Sequence, residues 1–129
     1  MEKASTYAAP LARLFLAILF LMAGFGKLMN PAGTIGYISS AGLPFPELGY
    51  VIALAAELGG GLLILVGYQV RLIAPLMAVF TIATAVFFHN NFADQTQQIM
   101  FMKNIAIAGG FLALMANGAG ALSIDNRKG

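Results

Sequence analysis

Charge is scarce in this sequence. Seven Lys or Arg and five Asp or Glu serve 129 residues, 9% of the chain, while 60% is hydrophobic and the mean hydropathy is +0.85. A water-soluble domain carries about a quarter charged residues, so so few charges exclude a conventional soluble enzyme. They exclude disorder too, which needs low hydrophobicity and high net charge. Cysteine is absent, which excludes a disulfide, a thiol relay, an iron–sulfur cluster and a Cys-ligated zinc. A single histidine excludes a haem held by two histidines of one chain. The net charge of +2 and the pI near 9.2 belong to cationic flanks of apolar segments, so no nucleic-acid partner is expected.

What the chain does have is long apolar runs, at 10–29, 47–67, 72–90 and 101–118. Each approaches the roughly 20 helical residues that cross a hydrocarbon core of about 30 Å. They predict an all-α fold, a four-helix transmembrane bundle forming one domain over 1–129. The first run is no cleavable signal, because Leu14 to Phe25 continues into Gly26-Lys27-Leu28 without a small-x-small site and three further runs follow. Between the first two runs, Thr34, Ile35, Tyr37 and Ile38 fit a short interfacial helix, with Pro46 in the first turn of the next span. Gly67-Tyr68-Gln69-Val70 is a tight link between spans two and three, Pro75 falls in the first turn of span three, and Asn90 to Gln98 reads as a polar loop. Four spans put both termini on one side. Lys3, Arg71, Arg127 and Lys128 on that side, with Arg13 nearby, against Glu47 and Asp94 in the opposite loops, predict cytoplasmic termini and a multi-pass protein of a bacterial inner membrane.

Ionisable residues inside spans are expensive and face protein or a watery cavity. Glu57 lies about eleven residues into span two, roughly 16 Å deep at 1.5 Å per residue, and shares a face with Ala53 and Gly61. Small neighbours let another helix approach, so Glu57 points at protein. Arg13 is its expected partner, on a stripe with Ala17, Phe20, Gly24 and Lys27, and Lys27 is the other cation within its expected reach. The pair reads either as a buried structural ion pair or as a proton relay. Near the opposite face, Lys27 ends span one, His89 ends span three, and Lys103-Asn104 opens span four. Singly, these residues are interfacial anchors. Together, Lys27, His89, Lys103 and Asn104 could form a cationic, hydrogen-bonding pocket for an anionic or carbonyl-bearing ligand, a quinone head group included. Span three's Pro75, Ala78, Ile82 and Ala85, and span four's Lys103, Gly110 and Asn117, are the expected inward stripes. No metal site is expected, since His89 and Asp94 have no second histidine at ligand spacing. Gly24-Phe25-Gly26-Lys27 and the glycines at 59–61 lie in apolar helices, not at a strand-to-helix turn, and read as packing surface. The sequence names no catalytic residue.

The ordered motifs Arg13…Gly24-Phe25-Gly26-Lys27, Gly42-Leu43-Pro44, Glu57-Leu58-Gly59-Gly60-Gly61, Gly67-Tyr68-Gln69-Val70-Arg71, His89, Phe101-Met102-Lys103-Asn104…Gly109-Gly110 and Gly118-Ala119-Gly120-Ala121-Leu122-Ser123-Ile124-Asp125 resemble the DoxX family. The likeness covers nearly the whole chain. It implies a small bacterial inner-membrane protein with four spans, some of whose relatives are linked to quinone-dependent oxidation of sulfur compounds or to oxidative-stress complexes. The leading expectation is a membrane subunit that binds a quinone or another small lipophilic ligand near its periplasmic face, rather than a complete enzyme. Alternatives are a non-catalytic scaffold for a redox enzyme, and a small transporter or channel using Glu57. The expected partners are the lipid bilayer, a redox enzyme or a second copy of the chain.

Overall fold

Several helix ends fall where a side chain or a glycine satisfies the free backbone groups. A computed structural model describes residues 2–128, with side chains from 6 to 126. Met1 and Gly129 of the expected domain lie outside the described residues, as do the side chains of Lys3, Arg127 and Lys128. Helix α1 runs Glu2–Met29 and α2 Pro31–Ser40. The second span, Pro46–Val66, consists of α3 (Pro46–Leu54), a π-helical turn (Ala55–Gly60) and α4 (Gly61–Val66). Then come α5 (Val70–Phe88), α6 (Gln95–Asn117) and the short α7 (Ile124–Lys128). Four segments, Thr6–Met29, Pro46–Val66, Val70–Phe88 and Gln95–Asn117, are long and apolar enough to cross a membrane. The four-helix transmembrane bundle and the interfacial helix α2 are both present.

Asn30 caps α2 by accepting from the Gly33 amide at 3.2 Å, with Pro31 in the first turn, as expected of a side-chain oxygen at this position. Gly67 ends the second span in the left-handed region (φ 73°), where the Tyr68 amide reaches back to the Leu63 carbonyl at 2.9 Å. Glycine takes this conformation without the Cβ penalty. Span one starts earlier than expected, at Thr6 in place of residue 10, and two other shifted boundaries have a visible cause. Span four starts at Gln95, six residues before 101, because Asp94 accepts from the Thr96 amide at 2.9 Å and caps a polar first turn. Span three starts at Val70 because a distant residue, Asp125, caps it: its two carboxylate oxygens accept from the Gln69 and Val70 amides at 2.8 and 2.9 Å. Pro75 therefore lies past the first turn and inside the helix, a disruption that membrane bundles absorb through neighbouring groups.

Spans one and two pack together as one hairpin, and spans three and four as another. Gly24 permits the first contact, since a Cβ there would lie 2.8 Å from the Leu58 side chain and 3.1 Å from the Glu57 Cβ. The hairpins meet along one half of the bundle, around Ala17, Phe20, Ile64, Ala74, Met77 and Phe111. The Phe20 and Phe111 rings sit 5.5 Å apart, tilted by 52°, within the favourable range for an aromatic pair. At this end residues 118–126 cross the base of the bundle, with Gly120 against Ala9. At the other end the hairpins separate, and α2 spans the gap.

Candidate functional site

The gap is a cavity of about 450 Å³ with mostly apolar walls, a size and character that suit a small lipophilic molecule. Phe20, Thr81 and Ile107 line it deep in the bundle, and Tyr37, Ile38 and Leu43 line it from the α2 side. Ile38 is buried against Gly49, and the Tyr37 ring stacks on Phe88 at 5.3 Å with the planes 19° apart. Tyr37 is thus the ring contact of the α2 segment with the second hairpin.

One wall carries an ion pair. Lys27 Nζ donates to Glu57 Oε1 at 2.9 Å, with the lysine side chain 33% exposed and the carboxylate 5%. Glu57 sits in the π turn, a helical irregularity that recurs at functional sites because it re-aims a side chain within a span. Glu57 Oε2 has no hydrogen-bond partner among the described residues, no described side-chain oxygen or nitrogen is both fully buried and unsatisfied, and Glu57 lines the cavity, so this oxygen is accessible from it. Lys27 keeps further N–H donors, since an ammonium carries three. Its carbonyl accepts from the Tyr50 hydroxyl at 2.9 Å, tying the end of span one to span two.

The facing wall comes from the second hairpin. His89 lines the cavity, and its Nδ1 lies 2.9 Å from Gln97 Oε1. With the amide oxygen as acceptor, Nδ1 is the donor of this bond, and Nε2 has no hydrogen-bond partner among the described residues. Below it, Asn104 donates to the Thr81 carbonyl at 3.2 Å and to Thr84 Oγ1 at 3.0 Å. Asn104 therefore fastens span four to span three and fixes the height of the polar wall.

Three of the four sequence candidates, Lys27, His89 and Asn104, line this cavity with Glu57. Lys103 does not. It is exposed, while Asn104, Ala108, Phe111 and Leu114 turn toward the bundle. The inward stripe of span four is thus set by these residues and not by Lys103 and Asn117, which are exposed, because an added helical residue turns a face by about 100°; Gly110 does face the bundle, where a Cβ would lie 3.6 Å from the Leu16 side chain. On span three, Ala78 and Ala85 are buried as expected, but Ile82 is 39% exposed and Thr81 takes the inward place. The threonines Thr81 and Thr84, one turn apart in an apolar run, were the sequence signal of this polar wall.

Arg13 and Glu57 do not form the expected pair. Arg13 is 1% exposed, and its guanidinium donates Nε to the Ala119 carbonyl (2.9 Å), Nη1 to Leu65 (2.7 Å) and Ile64 (3.5 Å), and Nη2 to Ala121 (2.8 Å) and Leu122 (2.9 Å). Backbone carbonyls of α4 and of the crossing segment replace the carboxylate. Arg13 lies on the stripe read from the sequence, but fourteen residues from Lys27 along α1, about 21 Å at the helical rise. It closes the base, while Glu57 pairs with Lys27 beside the cavity.

The sequence profile of the DoxX family matches residues 8–90. Inner membrane protein YqjF of Escherichia coli K12 is 46% identical over 125 residues, covering 97% of this chain and 95% of that protein. Inner membrane protein YphA of the same strain is 38% identical over 123 residues, covering 91% and 87%. CatD of Bacillus subtilis 168, whose name carries oxidoreductase as a provisional label, is 35% identical over 86 residues, covering 67% of this chain and 63% of that protein. No solved structure matches the chain. Its relatives of the Escherichia coli inner membrane, the family match and the four apolar spans lead to one conclusion: this chain is a multi-pass membrane protein that belongs to the DoxX family.

Proposed function

We propose that the protein is a membrane subunit of a redox system that binds a quinone, or a small lipophilic molecule with a similar carbonyl head, in the cavity between its two hairpins. The observation that carries this reading is the pairing of an apolar volume of about 450 Å³ with an ion pair on one wall and a histidine on the other. The lining fits a quinone. Lys27 would donate to one carbonyl oxygen, the apolar walls would hold the ring and the start of its tail, and Glu57 Oε2 and His89 Nε2 would stand ready to take up or release a proton. When bound, a quinone supplies an acceptor for two electrons and two protons. The chain has no cysteine and so brings no thiol couple of its own, which suits a subunit served by a partner enzyme. The provisional oxidoreductase label on CatD agrees with this direction. The orientation proposed with it has cytoplasmic termini and a cavity in the periplasmic half, from Arg71 beside the base and Glu47 and Asp94 at the opposite end.

A conduit is a poorer reading. Below the cavity, the path is filled by Phe20, Phe111 and Met77 and then by Arg13 with its carbonyl partners. The test is to purify wild type, Lys27→Met and His89→Ala in mild detergent and to identify the quinones and lipids that accompany each. Quinone should accompany the wild type and be depleted in both variants at matched folded fraction. Identical profiles in all three would overturn the proposal.

A further inference from the structure

A second cavity lies at the opposite end of the molecule, where the crossing segment meets spans three and four. It measures about 440 Å³ and is bordered by Gln69, Arg71, Asn117, Gly118, Asp125 and Asn126. Arg71 is the second residue of α5 and Asn117 the last of α6, so the cleft sits at the rim of the apolar spans, at the depth of lipid head groups.

Its two charged residues both border the open space, Arg71 exposed and Asp125 half-buried. Arg71 is exposed and makes no hydrogen bond or ion pair among the described residues. Its guanidinium lies over Gly118, where a Cβ would fall 3.0 Å from Nη2 and 3.1 Å from Nε. Gly118 has φ +80°, a conformation that disfavours side chains, so the backbone itself keeps this bed flat. Asp125 spends one oxygen on the Gln69 amide and the other on the Val70 amide, but a carboxylate offers about four lone-pair sites. The two groups border one cleft, yet the Lys27–Glu57 contact is the one ion pair among the described residues. The cleft thus holds a cation and an anion apart, with room between them.

We propose that this cleft is a binding site for the head group of phosphatidylethanolamine. The phosphodiester would take the Arg71 guanidinium, whose planar fork suits a phosphate, and the primary ammonium, two carbons away, would donate to Asp125. A purely anionic lipid would gain Arg71 but meet the Asp125 carboxylate. A choline lipid would bring its cation without an N–H to donate. The site is independent of the quinone reading, since it shares no residue with the first cavity.

The full chain is reconstituted in bilayers of equal phosphatidylethanolamine, phosphatidylglycerol and phosphatidylcholine, released in mild detergent, and its retained lipids are counted by native mass spectrometry. Wild type should retain the ethanolamine lipid about tenfold over either competitor, the scale of one charge-assisted hydrogen bond. Arg71→Gln should abolish that retention with little change in melting temperature, because Arg71 makes no hydrogen bond or ion pair among the described residues and glutamine keeps part of its packing over Gly118. Asp125→Asn should remove the preference for ethanolamine over choline. If that variant fails to fold for want of its cap, wild type with N-methylated ethanolamine lipids replaces it, and retention should fall as the N–H donors are lost. Soluble phosphoethanolamine should not displace the lipid. Equal retention of the three lipids, displacement by the soluble head group, or full retention by Arg71→Gln would overturn the assignment.

Discussion

Arg13 and Lys27 lie on one face of α1, and the bundle uses them in opposite ways. At the base, the Arg13 fork delivers its donors to the backbone carbonyls of two elements. Those acceptors are fixed by the fold, so nothing is left for a visitor. At the other end, Lys27 gives one bond to one carboxylate oxygen beside an apolar cavity. A planar guanidinium with five donors suits a rigid cage, whereas a compact ammonium on a flexible stem keeps spare donors and can change partners. The same helix therefore carries a lock at one end and an adjustable contact at the other. Packing follows suit: the small residues Ala17, Ala74 and Ala78 are sealed in the lower half, while Ala53 on the upper half lines open space.

The largest expected effect comes from breaking the lock. Arg13→Met leaves the carbonyls of Leu65, Ala119, Ala121 and Leu122 without this donor, and the loss should be at least that of opening a buried ion pair, about 3–5 kcal/mol. Thermal unfolding in detergent should show it, and Arg13→Lys should recover little. A full rescue by lysine would erase the distinction between the two ends. Lys27→Met should come next, costing up to about 3 kcal/mol, since Glu57 is stranded but one of its oxygens already reaches the cavity. Lys27→Met combined with Glu57→Leu should regain most of the loss, and a strictly additive double variant would mean that the pair is not the source of it.

Identical substitutions at the two ends sharpen the contrast further. Ala74→Leu should overpack the sealed core and cost about 1–3 kcal/mol, whereas Ala53→Leu should fill cavity volume with little change in melting temperature and displace any bound quinone. Equal destabilisation of the two would mean that the upper half is as tightly filled as the lower. His89→Ala should be a small perturbation, about 1 kcal/mol for a hydrogen bond to Gln97. Its stability is to be read beside the lipids that co-purify with it.

Sequence patterning carried the architecture because lipid demands it: each span needs an unbroken apolar run, and the stripe Arg13, Ala17, Phe20 and Gly24 turns inward as helical spacing dictates. The inward face of Glu57 was legible for the same reason. The partner of Arg13 was not, because its acceptors are backbone carbonyls, which every residue possesses and no letter marks. The cap on span three was hidden likewise, since Asp125 lies 55 residues from the Val70 amide it satisfies. The cavity candidates divided on helical phase. Between Lys103 and Asn104 the charge is the stronger signal, yet the Thr81–Thr84 pair selects the asparagine. Gln97 escaped notice because a polar loop was expected where α6 already winds.

The Arg13 cage also has a consequence in time. Its acceptors at Ala119, Ala121 and Leu122 lie 106 to 109 residues downstream, so they are synthesised after three further spans have been made. Until then the first helix lies in the bilayer with an arginine that has only its span-two acceptors, Leu65 and Ile64, and water or lipid phosphate at the membrane edge must hold its remaining donors. Residues 119–122 therefore complete the cage only after all four spans have been made. A nascent chain halted before residue 118 would hold all four spans and still lack three of the carbonyls that hold Arg13.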